Sequence, residues 1–154
     1  MHTSSLTIRK FQFARAQFDN DSVPGILSLT DFVVDGQPLA NRLNVARASL
    51  EFASSSLDSI DPSERRRYAE ELLARREPTN QLGSGRVVIY RCHCGSDYCG
   101  VVSTRIIRDA DLILWRDIGI EQEDGLDFEH AHIAQLVFSS AEYDTEISRF
   151  FGLG

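Results

Sequence analysis

Apolar and polar positions alternate in the first third of the chain. Leu6 and Ile8, then Phe11 and Phe13, give period-two spacing over residues 6–13, the pattern of a half-buried strand. A phase slip at Arg9-Lys10 predicts a β-bulge there. A second strand, 26–34, follows the turn-forming residues Asp19, Asn20, Asp21, Pro24 and Gly25, and Asp35-Gly36 breaks it. Asn44 is placed to cap a helix over 45–55 with Val45, Ala48 and Phe52 inward. A better-marked helix begins at Asp61, where an N-cap carboxylate is followed by Pro62 at the first helical position and Glu64 at the third. Arg66 and Glu70, Arg67 and Glu71, and Glu71 and Arg75 are spaced to pair along it. Only Tyr68 and Leu72 mark its apolar stripe, so the pattern predicts a surface helix, which Pro78 stops.

From Gly85 the spacing returns to that of strands: 86–91, 101–107 and 112–115, with Asp109-Ala110-Asp111 as a hairpin turn. An acidic loop over 117–129 leads to a fourth strand, 131–138. Ser139 and Glu142 then form a capping box, and Phe138 and Tyr143 occupy the two hydrophobic-staple positions. Tyr143, Ile147, Phe150 and Phe151 line one face of a closing helix that Gly152 ends. The expected fold class is α+β in a single domain, 1–154. An antiparallel sheet is built from 86–92, 100–108, 111–116 and 131–138. The C-terminal amphipathic helix, 140–151, packs on it, and a surface helix comes from the middle of the chain.

Composition fits that picture: 42% of residues are hydrophobic and 25% charged, ordinary values for a globular domain. No apolar run approaches the ~18 residues of a membrane span, and the first ten residues lack the apolar segment of a secretory leader. The three cysteines all lie within 92–99, so a reducing, cytoplasmic compartment or a metal is expected rather than a disulfide framework.

Charge changes the picture more. The net charge is −7. Residues 109–154 carry 11 acids and two bases, Arg116 and Arg149, a net −9, while 1–108 carry 12 acids and 14 bases, a net +2. An acidic third of this kind disfavours nucleic acid and anionic membranes, which are bound by neutralising phosphates with Lys and Arg. It suits a basic protein partner, whose association it would steer. The candidate partner-binding charges are Asp117, Glu121, Glu123, Asp124 and Asp127. The other reading is an acidic face that only provides solubility.

The dense chemical cluster is Cys92-His93-Cys94-Gly95-Ser96-Asp97-Tyr98-Cys99-Gly100, at the expected tip of a hairpin. Residues two apart on a strand face one side, so Cys92 and Cys94 could offer two sulfurs while the loop returns Cys99. Three thiolates need a fourth ligand for tetrahedral zinc. His130 and His132, two apart near the fourth strand, are candidates, as are His93 and Asp97. The alternatives are buried, reduced thiols and a redox pair or nucleophile, which would need a thiolate-stabilising site. No Ser-His-Asp elbow, P-loop, dinucleotide fingerprint or deaminase pattern is present in the sequence, so no catalytic residue is named.

The segment 87–151 resembles a group of small bacterial proteins without an assigned activity, many from GC-rich genomes. The resemblance is carried by the strand ending Tyr90-Arg91, the C-x-C-G-x-x-x-C-G signature at 92–100 and the strand through Arg105-Ile106. Trp115 in the hairpin partner, and Phe138 and Tyr143 opening the last helix, complete it. It looks like the accessory or immunity proteins encoded beside toxins, and so implies a binding role without naming a site. Three function classes follow: a non-enzymatic protein-binding module of immunity or inhibitor type, a zinc-stabilised structural or adaptor protein built on Cys92, Cys94 and Cys99, and an enzyme of unrecognised type.

Overall fold

The computed structural model describes residues 2–14, 26–43, 56–91, 96–127, 129 and 132–153. Strands β1 (Leu6–Ala14), β2 (Ile26–Val34) and β3 (Gln37–Pro38) form one antiparallel sheet in that order. The β1–β2 register runs from Leu6 opposite Val34 to Ala14 opposite Ile26 without a shift, so no bulge forms at Arg9-Lys10. The reason is burial. Leu6 and Ile8 face the core, but Lys10 and Gln12 on the same face are exposed. The phase slip in the sequence records a strand leaving the core, with its next apolar residue, Phe11, on the other face. Asp35 and Gly36 both take positive φ, 51° and 82°, the geometry of the tight hairpin turn between β2 and β3.

The second sheet contains β4 (Val87–Tyr90), β5 (Val101–Asp109), β6 (Leu112–Gln122), β7 (Gly125–Asp127) and β8 (Ile133–Ser139). All pairings are antiparallel, and β6 is the hub. One edge of β6 takes β5, and the other takes β8 along Leu112–Ile118 and β7 along Ile120–Gln122. The expected acidic loop over 117–129 is therefore corrected. Its first half continues β6, with Ile118 and Ile120 packed inward, and its second half turns back as β7. Between Ser103 and Arg105 one residue of β5 faces two of β6, and Asp117 takes φ 51° in that bulge. The buried Arg86 fills it. Its guanidinium donates to Ser103 Oγ (2.9 Å), to the Ser103 carbonyl (3.0 Å) and to the Asp117 carbonyl.

Among the described residues, four α-helices complete the fold: α1 (Leu39–Leu43), α2 (Ser56–Ser59), α3 (Arg65–Leu72) and α4 (Ser140–Phe151). The helix expected over 45–55 lies outside the described residues. Asp61 caps a 3-10 turn, Pro62–Glu64, by accepting from Ser63 N, and α3 follows. Its outer side carries the exposed Arg66, and its inner side buries Tyr68, Ala69 and Leu72, with Leu73 just past its end. Ala69 and Leu73 widen the two-residue stripe into a core face. Arg66 pairs with Glu70 and Arg67 with Glu71, but Arg75 lies past the helix end and pairs with Asp144.

In α4, Tyr143, Ile147 and Phe151 are buried, and Phe138 meets Tyr143 at 5.4 Å between ring centroids, as the staple requires. Phe150 is only half-buried, its ring 5.0 Å beneath the Arg65 guanidinium. The two sheets and α3 and α4 share one apolar cluster. Trp115 sits in it with no exposure, edge-on to Phe32, Phe138 and Tyr143. The sheets also touch through backbone: Ser4 N donates to the Val137 carbonyl at 2.7 Å. Farther along, α4 reaches the outer edge of β1. Glu146 accepts the Ile8 N–H (2.9 Å), and Arg149, ion-paired to Glu146, donates to the Ile8 carbonyl (3.3 Å). Among the described residues, no helix is long and apolar enough to cross a membrane.

Candidate functional site

The chemistry-bearing residues fall in two places, a polar cleft beside the cysteine segment and the β6–β7 hairpin. β4 and β5 pair as the expected hairpin, while Cys92, His93 and Cys94 lie outside the described residues. Past them, Ser96 Oγ accepts from Tyr98 N and opens a 3-10 turn, Asp97–Cys99. Gly100 closes the turn with φ 97°, a conformation that disfavours a side chain, and its N–H donates to the Asp97 carbonyl. Cys99 is exposed on this turn.

Asp97 has no exposure and organises the surroundings. Its Oδ1 accepts Arg91 Nε at 2.6 Å and its Oδ2 accepts Gln81 N at 2.9 Å. Its own N–H donates to Gln81 Oε1, and Tyr98 Oη donates to the Gln81 carbonyl. The segment around Gln81 is thereby clamped to the 3-10 turn. Opposite stands α3, and between the two is a cleft of about 440 Å³, floored by Tyr68, Val88 and Glu71 and flanked by Arg67 and Arg91. Tyr68 Oη is tied to the Val88 carbonyl at 2.6 Å. Burial pushes the Glu71 carboxyl up, opposed by the Thr79 N–H and by the guanidinium groups of Arg67, Arg76 and Arg91. Arg67 ion-pairs with Glu64 through Nη2 at 2.6 Å, while its Nε, buried, makes no hydrogen bond and stands 3.6 Å from Glu71 Oε2.

The second place is the β6–β7 hairpin. Glu123 and Asp124 are exposed at its turn, and Leu126 beside them is 38% exposed, an uncommon state here for a large apolar side chain. Asp127 accepts the Glu129 N–H. Asp117 is exposed on β6, with His132 Nε2 3.8 Å from its carboxylate. Glu121 is not among these surface charges. It is buried, accepts from Ser103 Oγ at 3.1 Å, and faces Arg86. Strand alternation puts it on the face of β6 opposite Ile118 and Ile120, where Ser103 and Arg86 cover it.

Of the expected zinc ligands, Cys92, Cys94 and His130 lie outside the described residues, Cys99 is exposed, and His132 is beside Asp117. Among the described residues no three His, Cys, Asp or Glu side chains are grouped to hold a metal. The sequence does not show the cleft, because it is assembled from α3, the Gln81 segment and the 3-10 turn. The local signal is Arg91 just before the cysteine segment and the opposite charge of Asp97 within it. Comparison with family models, with curated proteins and with solved structures finds no match.

Proposed function

We propose that this chain is a non-enzymatic protein-binding module of immunity or inhibitor type, working in the cytoplasm, which presents the β6–β7 hairpin to a basic protein partner. The observation that carries this reading is Leu126, exposed between Glu123-Asp124 and Asp127 in a stretch, 117–132, that contains no Lys or Arg. An apolar contact ringed by like charges matches the anatomy of an interface, with a desolvated centre and a polar rim. The rim charges Asp117, Glu123, Asp124 and Asp127 steer encounter, and Leu126 sets residence time. Glu121 takes no direct part, because it belongs to the Arg86 network.

The test is kinetic, on a partner isolated by co-expression with neighbouring genes. Reversing Glu123 and Asp124 to Lys slows association and flattens its salt dependence. Leu126→Ala speeds dissociation instead. Unchanged rates in both variants would leave the hairpin a solvated surface. The zinc-stabilised reading rests on Cys92, Cys94 and Cys99, and metal analysis of the purified protein decides it separately.

A further inference from the structure

The cleft between α3 and the Gln81–Asp97 clamp differs from the hairpin in what its polar groups still lack. Its carboxylates are engaged. Asp97 accepts from Arg91 and Gln81, Asp61 from Ser63 and Glu71 from the Thr79 N–H, and Glu64 is ion-paired to Arg67. Its guanidinium groups are not used up. Arg91 spends one N–H, on Nε, and its two terminal nitrogens have no partner among the described residues. Arg67 ion-pairs with Glu64 through Nη2 and its buried Nε faces Glu71, while its Nη1 has no partner among the described residues. Among the described residues, what is missing is an acceptor, placed where two planar donor forks line one cavity of about 440 Å³. That volume lies within the usual range of small-molecule sites, roughly 300–1,000 Å³.

We propose that this cleft binds a small organic monocarboxylate, its oxygens taking the spare donors of Arg67 and Arg91 and its carbon body lying over Tyr68, Val88 and Ile60. Guanidinium forks match carboxylate geometry in pairs of parallel hydrogen bonds. The charge of the wall selects the class. Asp61, Glu64, Glu71 and Asp97 against Arg67 and Arg91 leave an acidic lining, which repels a dianion such as phosphate more than a single carboxylate. Glu71, whose carboxyl burial already favours protonated, adds a pH dependence: an anion arriving beside it favours the protonated form further, so binding tightens as pH falls.

The experiment is a titration of the full chain with acetate, pyruvate and hippurate, followed by calorimetry and by the arginine side-chain Nε–H resonances, with chloride and inorganic phosphate as controls. The expected result is saturable binding of at least one carboxylate with shifts at Arg67 and Arg91, and phosphate no better than chloride. Arg91→Lys, which keeps a cation beside Asp97, and Arg67→Gln each weaken binding tenfold or more. Glu71→Gln preserves binding and removes its pH dependence. The proposal is overturned if none of the three carboxylates saturates, if the Arg67→Gln/Arg91→Lys double variant binds as well as the parent, or if phosphate binds more tightly than the carboxylates. Hairpin variants at Glu123 and Asp124 leave this titration unchanged, so failure here does not bear on the protein-binding reading.

Discussion

Trp115 donates its indole N–H to Tyr143 Oη at 3.0 Å, and Tyr143 in turn donates to the Leu72 carbonyl at 2.6 Å. One phenol thus joins the hub strand β6, helix α4 and the last turn of α3, satisfying a carbonyl that helix geometry leaves without an intrahelical partner. Tyr143→Phe keeps the ring and deletes the relay, leaving a donor and an acceptor buried and unpaired. The expected loss is about 2–4 kcal/mol at one to two unsatisfied groups, read as a lower urea midpoint. An unchanged midpoint would show that the relay is not held in solution.

Asp31 gives the fold a pH signature. It is buried and accepts from Tyr90 Oη, Phe32 N and Ala40 N, and burial pushes its carboxyl up to about 6, with Asp58 adding to the rise. Between roughly pH 4 and 6 the folded chain keeps a proton that the unfolded chain has lost. Stability from this group therefore falls as pH rises through that window, by about 3 kcal/mol for two units of difference, and is flat above it. Urea melts of the parent and Asp31→Asn at pH 4.5 and 7 check this. The parent loses stability relative to the variant on going to pH 7, and a constant difference would contradict the assignment.

Arg86 and Glu121 form a buried pair bridged by Ser103 Oγ. Arg86→Met removes the donors that fill the β6 bulge and strands Glu121, at an expected cost of about 3–5 kcal/mol. Adding Glu121→Gln relieves the stranded charge, so the double variant loses less than the two single losses combined. A strictly additive double-mutant cycle would mean the two side chains do not communicate.

Adjacent rings near the end of α4 separate burial from sequence pattern. Phe151→Ala, in the apolar cluster, costs about 3–4 kcal/mol. Phe150→Ala, half-exposed under Arg65, costs about 1–2 kcal/mol, mostly as lost cover and cation–π contact. Equal losses would place both rings in the core.

The α+β class, the β4–β5 and β5–β6 hairpins and the closing helix were legible because each rests on local chemistry. The Phe138–Tyr143 staple and the turns at Asp35-Gly36 and Asp109-Ala110-Asp111 speak for themselves. What was not legible depends on partners far along the chain. Glu121 looks like another acid in an acidic run until Arg86, just ahead of β4, faces it. The α3 stripe looks narrow because alanine at 69 scores weakly although it packs tightly. The Arg9-Lys10 slip reads as a bulge unless one knows where the core ends. The cleft is the extreme case, since Arg67, Gln81, Arg91 and Asp97 carry no motif and are assembled only by the fold.

The clasp of Glu146 and Arg149 on Ile8 joins residues 138 and 141 positions apart. Until position 149 has been synthesised, the outer rim of β1 offers an N–H and a carbonyl to any passing strand, including β1 of another molecule. Helix α4 is thus the stopper on the outer edge of β1. Shortening the chain before position 146 would uncover a template on which copies can assemble.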